Sequence, residues 1–210
     1  MPDYLKDLTG VVQAGGRSRR MGQDKALMDF LGEPLILQPI RILEQLTREI
    51  LVITNQPQDY AFLNKPLVKD ALPDRGALGG LYTALLAART AFTATVACDM
   101  PFVSERLLRA QYRALCESPD AAAAIPESSH GLEPLHAVYR TEICLPAVKS
   151  ALEGGKRRMV SWHQGLIVNI IPNAQVREHD REELAFLNLN TVEEFRTAEG
   201  IARERPAGRN

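Results

Sequence analysis

Residues 14–25 read AGGRSRRMGQDK and set four cationic side chains, Arg17, Arg19, Arg20 and Lys25, against one carboxylate, Asp24, in a chain whose net charge is −1. A local positive excess in a near-neutral protein selects an anionic ligand. Gly15 and Gly16 carry no Cβ, so backbone N–H groups there can approach phosphate oxygens while the arginines and Lys25 neutralise them. This is no Walker A loop, because no Ser or Thr follows Lys25 to hold magnesium, and G-x-G-x-x-G is also missing. The competing reading is a solvated turn with surface arginines. Lys25 is expected in this polar loop, outside the core.

Carboxylates follow two apolar runs. Asp99 comes after TATVA and Cys98 and before the turn at Pro101. A carboxylate just beyond a parallel strand is a hard oxygen ligand for Mg²⁺, which takes one or two protein carboxylates and completes its shell with phosphate and water. A turn or N-cap aspartate is the alternative. Asp70 ends the shorter run LVKD, where it could simply order its own turn. In FLNLNTVEE, Asn188 and Asn190 alternate along a strand-like run, which would present both amides to one ligand; turn chemistry ahead of a helix is the equal alternative. His136 reads as a packed strand histidine before it reads as a base. No Ser-His-Asp order, catalytic carboxylate pair or metal-type His cluster stands out.

The elements that must position these residues follow from period. Residues 8–14 read as a buried strand, 34–46 as a helix with Pro34 in its first turn, and 50–54 and 67–69 as strands. A helix at 80–91, a strand at 93–97 and a helix capped by Ser104, with Leu107, Leu108, Ala114 and Leu115 on its apolar face, continue the pattern. Strands at 121–125 and 136–139 precede a helix that Thr141 should cap and Gly154 and Gly155 should stop; 186–189 reads as a last strand. Thr191 and Glu194 form a T-x-x-E capping box for the final helix. Alternation of strands and helices predicts an α/β fold: one Rossmann-like domain over residues 1–200, a mostly parallel sheet with helices on both faces, and a frayed tail at 201–210.

Composition sets the outer bounds. With 25 Lys plus Arg against 26 Asp plus Glu over 210 residues, no general basic footprint exists for coating nucleic acid or anionic membrane. The longest charge-free stretch, 159–176, is broken by His163, Gln164, Gly165, Asn169 and Pro172, unlike the ~18 apolar residues of a membrane span. Cys98, Cys116 and Cys144 are odd in number and far apart, which points to buried structural thiols in a reducing cytoplasm.

QAGGRSRRMGQDKAL and CDMPF together resemble the signatures of nucleotidyltransferases that build phosphate diesters from a nucleoside triphosphate, and most of all those of the molybdenum cofactor guanylyltransferases. EPLHAVYR, near an acceptor pocket, and FLNLNTVEE resemble two further blocks, although Val192 stands where that family has proline. The resemblance spans most of residues 8–200 and implies a fold of the nucleotide-diphospho-sugar transferase type. It implies that the backbone of Gln13, Ala14 and Gly15 holds the guanosine nucleotide, that Lys25 contacts its phosphates, that Asp70 contacts the nucleotide and that Asp99 ligates Mg²⁺. Gln13 replaces the usual leucine, and by register Ile53 replaces an asparagine for which Asn55 could substitute.

The implied reaction joins GTP and Mo-molybdopterin into molybdopterin guanine dinucleotide, with Lys25, Arg20 and Mg²⁺ stabilising the transferring phosphate and the departing pyrophosphate. On the acceptor side it implies Asn188 and Asn190, with transient contact to molybdenum cofactor enzymes or their chaperones. The paired glycines 15 and 16 favour the guanylyl branch over cytidylyl relatives, which tend to read Ala-Ala-Gly. Cytidylyl transfer to molybdopterin, nucleotidyl transfer to another phosphorylated acceptor, and a non-catalytic GTP sensor or cofactor-insertion partner are the alternatives.

Overall fold

The computed structural model describes residues 3–15 and 24–204; Arg20 and the rest of 16–23 lie outside them. The first strand, β1 (Leu8–Gln13), is buried on both faces up to its last residue, as a central strand between two helical layers must be. A two-strand ribbon, β2 (Asp29–Phe30) with β3 (Glu33–Pro34), follows, and only then α1 (Leu37–Leu46). Pro34 therefore sits in the ribbon rather than in the helix, and Pro39 occupies the first helical turn, where a missing N–H costs nothing.

β4 (Glu49–Ile53), β5 (Leu67–Val68), α2 (Gly76–Ala87) and β6 (Phe92–Ala97) complete the first half. α2 starts four residues earlier than its apolar period suggests, because Gly76 takes φ +64° at the entry. It also ends earlier: Ala88 is extended, and Thr90 turns the chain by bonding Thr9 Oγ1 (2.7 Å) and the Phe92 carbonyl (2.8 Å).

The second half runs α3 (Glu105–Glu117), β7 (Ala121–Ser128), β8 (Gly131–Leu132), β9 (His136–Arg140), α4 (Thr141–Glu153), β10 (Ile167–Ile171), α5 (Asn173–His179) and α6 (Val192–Glu204). Ser104 Oγ caps α3 by accepting from Leu107 N (3.2 Å). Thr141 is not a cap: it is the first residue of α4, and its hydroxyl pairs with that of Thr93 (2.9 Å) instead. The expected strand at 186–189 is absent. A 3₁₀ turn, Leu184–Phe186, and an extended segment bound to the sheet by one hydrogen bond, Leu189 N to the Asp99 carbonyl (3.0 Å), replace it. α6 continues through Glu204, so residues 201–204 are helix rather than tail.

The main sheet runs β10-β7-β9-β6-β1-β4-β5, with β8 hairpinned onto β7. Within this path every strand but β9 shares one direction. Helices α1 and α3 cover one face, where Ile40, Leu43, Leu107 and Leu115 join Val12, Val96 and Val138. Helices α2 and α4 cover the other, where Leu78, Leu81 and Leu85 meet Ala123, Tyr139 and Val148. This is the single α/β domain with a mostly parallel sheet that the alternation of strands and helices predicts. No helix among the described residues is long and apolar enough to cross a membrane.

Two close approaches orient the layers. α1 lies on β1 at Gly10, where a Cβ would stand only 3.2 Å from the Leu43 side chain. α6 reaches back across the chain, its Phe195 and Ala198 packing with Phe30, Leu35 and Leu189. We predict that Leu43→Ala destabilises the fold by roughly 2–5 kcal/mol, since Leu43 is fully buried against that glycine and the rigid sheet cannot close the void. Equilibrium urea unfolding reads the loss; a midpoint within error of the parent's contradicts the packing.

Candidate functional site

Four parallel strands end side by side in the order β5, β4, β1, β6, each about 4.8 Å from the next. Gln13 closes β1, and just past the other three ends lie Asp70, Asn55 and Asp99, along the edge where open α/β sheets bind ligands. The β ladder runs one residue further than the strands: Cys98 N donates to the Gln13 carbonyl (3.1 Å) and Ala14 N to the Ile53 carbonyl (2.8 Å). The Ala14 N–H is thus spent on the sheet, and Gly15, exposed, is the first residue of the signature past the ladder.

Lys25 is the main departure from expectation. It is only 8 % exposed, packed rather than loose in a polar loop. Asp24 starts the 3₁₀ turn Lys25–Leu27 by accepting from Ala26 N at Oδ1 (3.1 Å), while its Oδ2 accepts the Tyr60 hydroxyl (2.6 Å). Tyr60 is fully buried; burial and this bond push its pKa far above the ordinary range, so the hydroxyl keeps its proton and stays a donor. The Lys25 ammonium donates to Asn190 Oδ1 (2.7 Å), delivered by the segment that leads into α6.

Asp99 lies close enough to Lys25 to feel its charge. Burial raises the carboxyl's pKa, Lys25 and a backbone hydrogen bond lower it, and burial wins. Metal binding here competes with a proton at a higher pH than at a solvated aspartate.

Asp70 is held within its own turn: its Oδ1 accepts from Leu72 N (3.0 Å) and the Thr83 hydroxyl (2.9 Å), while its N–H donates to Asn55 Oδ1 (3.2 Å). Asn55, not the buried Ile53, is therefore the amide at this point of the edge. The two asparagines near the C-terminus also separate. Asn190 reaches Lys25, whereas Asn188 Nδ2 turns back to the Phe186 carbonyl (3.1 Å), because 187–190 is not a strand and does not alternate across a sheet. Thr191 and Glu194 form the expected capping box, Glu194 N donating to Thr191 Oγ1 (3.2 Å) and Thr191 N to Glu194 Oε2 (2.9 Å).

His136 is fully buried and held near a pKa of about 4 by burial, so it is neutral at pH 7; its Nε2 accepts from Ser104 N (3.1 Å) beneath the α3 cap. The packed reading holds. Of the three cysteines, Cys144 is buried, Cys98 partly so and Cys116 exposed, against the expectation that all would be interior.

The residues missed by inspection of the sequence are Asp24 and Tyr60. Asp24 sits beside Lys25, and its adjacency was the available signal; nothing in the sequence ties Tyr60 to it.

The MobA-like NTP transferase domain model matches residues 10–166. A protein of Pelotomaculum thermopropionicum named "Probable molybdenum cofactor guanylyltransferase" is 32 % identical over 201 residues, 96 % of each chain. The molybdenum cofactor guanylyltransferase of Desulfosudis oleivorans is 30 % identical, covering 91 % of this chain and 94 % of its own. The crystal structure of molybdopterin-guanine dinucleotide biosynthesis protein A from Archaeoglobus fulgidus superposes with a TM-score of 0.79 at 24 % identity, covering 94 % of this chain and all of that one, a likeness of fold.

Tyr60→Phe keeps the ring in the core and deletes only the hydroxyl that holds Asp24. A hydrogen bond to a charged acceptor is worth roughly 1.5–3 kcal/mol, so the urea midpoint should fall with the slope unchanged. An unshifted midpoint means that the hydroxyl does not secure Asp24.

Proposed function

This chain belongs to the molybdenum cofactor guanylyltransferase family of MobA-like NTP transferases, and we propose that it transfers GMP from GTP to Mo-molybdopterin, giving molybdopterin guanine dinucleotide and pyrophosphate. One observation carries this reading: Lys25 sits beside Asp99 at the ends of the central strands, its ammonium held by the neutral amide of Asn190. A neutral partner fixes the cation without cancelling it. A triphosphate laid along this edge meets that charge, and its base extends toward the β1–β4–β5 side, where Gly15, Asn55 and Asp70 border the crevice.

The acceptor brings its own nucleophile. A phosphomonoester has a second pKa of about 6, so it attacks without a general base, which suits a fold in which His136 is sealed in the core. One acceptor oxygen bonds to the α-phosphorus as the bond to the bridging oxygen breaks, and pyrophosphate leaves with that electron pair. Lys25 neutralises charge on the phosphate oxygens through this step, with Arg20 assigned to the same task. Asn190 holds the Lys25 ammonium in place and is assigned to the acceptor side, whereas Asn188, bonded back to the Phe186 carbonyl, would have to turn to reach an acceptor.

Asp99 suits magnesium. Its carboxylate is a hard ligand, half-buried at the crevice, and no group of three or more His, Cys, Asp or Glu that could form a closed metal site gathers among the described residues. One protein carboxylate suffices where phosphates and water complete the shell. Magnesium there would supply charge stabilisation at the α-phosphate and the leaving pyrophosphate. The free thiols fit the reducing cytoplasm in which we place the reaction, with the product passing to molybdenum cofactor enzymes or their chaperones by transient contact.

A substrate panel tests the assignment: with purified molybdopterin, pyrophosphate release from GTP should far exceed that from CTP or ATP, since polar groups left unpaired by a wrong base can discriminate by ~10⁴. Equal rates with CTP overturn the guanylyl reading. Binding of GTP with no pyrophosphate from any nucleotide turns the protein into a sensor or insertion partner.

For the metal, Asp99→Asn keeps the shape and removes the charge. The expected loss is on the order of 10²-fold or more in kcat with the melting temperature little changed. Near-normal activity with an unaltered magnesium dependence refutes the role.

A further inference from the structure

Gln13 stands in the middle of the crevice edge, on the strand between Asp99 and the Asn55–Asp70 side. Its carbonyl already accepts from Cys98 N, and the next N–H is spent on Ile53, so the side chain is the polar group it has left to offer. That side chain lies on α2 at Gly80, where any Cβ would overlap Oε1. Its Nε2 is shielded from solvent and has no hydrogen-bond partner among the described residues. Buried amide donors are almost always paired, and an unpaired one is destabilising, whereas a leucine of similar bulk would fill the same space without that penalty. A buried donor kept without a partner at a ligand edge points to a partner that arrives with the ligand.

We propose that the Gln13 side-chain amide reads the nucleotide base, its Nε2–H donating to O6 of guanine. The inference rests on the GTP reading above and deepens it. Lys25 and Asp99 draw the phosphates to the β6 end, so the base lies over β1 and beyond, on the side where the Gln13 amide packs on Gly80. An N–H donor pairs with the carbonyl of guanine and meets another donor in adenine, whose exocyclic amino group occupies the same position. Selection then comes from a repulsive contact with the wrong base as well as an attractive one with the right base.

Analogues isolate that atom. Inosine triphosphate keeps O6 and lacks the 2-amino group; 2-aminopurine riboside triphosphate keeps the amino group and lacks O6. Pyrophosphate release and direct binding titrations of GTP, inosine triphosphate, 2-aminopurine riboside triphosphate and ATP are compared between the parent and Gln13→Leu. The parent should favour the two O6-bearing nucleotides over the other two, and Gln13→Leu should shrink that preference by about 10-fold, the worth of one such hydrogen bond. Without ligand, Gln13→Leu should melt at or above the parent temperature, because the unpaired donor is gone. Gln13→Met, unbranched, serves the same measurements if leucine is crowded against Gly80.

A parent that favours O6-bearing nucleotides while both variants keep the full preference overturns the role of Gln13 and leaves the GTP assignment standing. A parent with no preference for GTP overturns both. A preference lost together with a large fall in melting temperature in both variants means that the amide is structural, and it also overturns the inference.

Discussion

The contact on which the site depends is the 2.7 Å hydrogen bond from the Lys25 ammonium to Asn190 Oδ1, which joins residues 165 positions apart. A buried cation needs a partner, because taking an unpaired ammonium out of water is costly. A carboxylate would satisfy it and also neutralise it. An amide oxygen supplies the dipole and leaves the positive charge for an incoming anion. The nearby Asp99 experiences the same balance from the other side: burial favours its protonated form, and Lys25 pulls back toward the ionised one.

That arrangement needs a rigid frame. The ends of β1, β4, β5 and β6 are fixed by parallel pairing and by helices packed on both faces, so the edge residues hold their spacing. Lys25 is anchored from two directions: Asp24 is tied to the buried Tyr60 on one side, and the segment before α6 lies against Asp99 through the Leu189 N–H on the other. α6 itself is docked by Phe195 and Ala198 on Phe30 and Leu35 of the β2–β3 region, which couples the C-terminal segment to the chain that carries Lys25.

Along this edge some polar groups look inward and others outward. Asp70 is bound into its own turn by Leu72 and Thr83, which makes it a fixed corner of the crevice. Gln13 is the reverse case, a polar side chain packed on Gly80 with its donor unpaired. Such a group weakens the free protein and is of use at a ligand edge when something pairs with it.

Much of this was legible in the sequence because it is local. Periods of two and of 3.6 mark strands and helices, the Ser104 cap and the Thr191–Glu194 capping box act within three residues, and Asp99 follows a short apolar run that reads as a strand. The alternation of these elements, and the resemblance carried by short motifs, therefore point to the fold class and the family. Thr141 and the run 186–189 each have a plausible local state that a distant partner replaced, the Thr93 hydroxyl and the Asp99 carbonyl, whereas Pro34 is drawn into the short hairpin of β3 with β2. Only the tertiary structure could decide that Lys25 is buried, that Asn190 rather than Asn188 holds it, and that Tyr60 secures Asp24. Those pairings join residues 36 to 165 positions apart, and nothing in a sequence period records which distant side chains the folded layers bring within 3 Å.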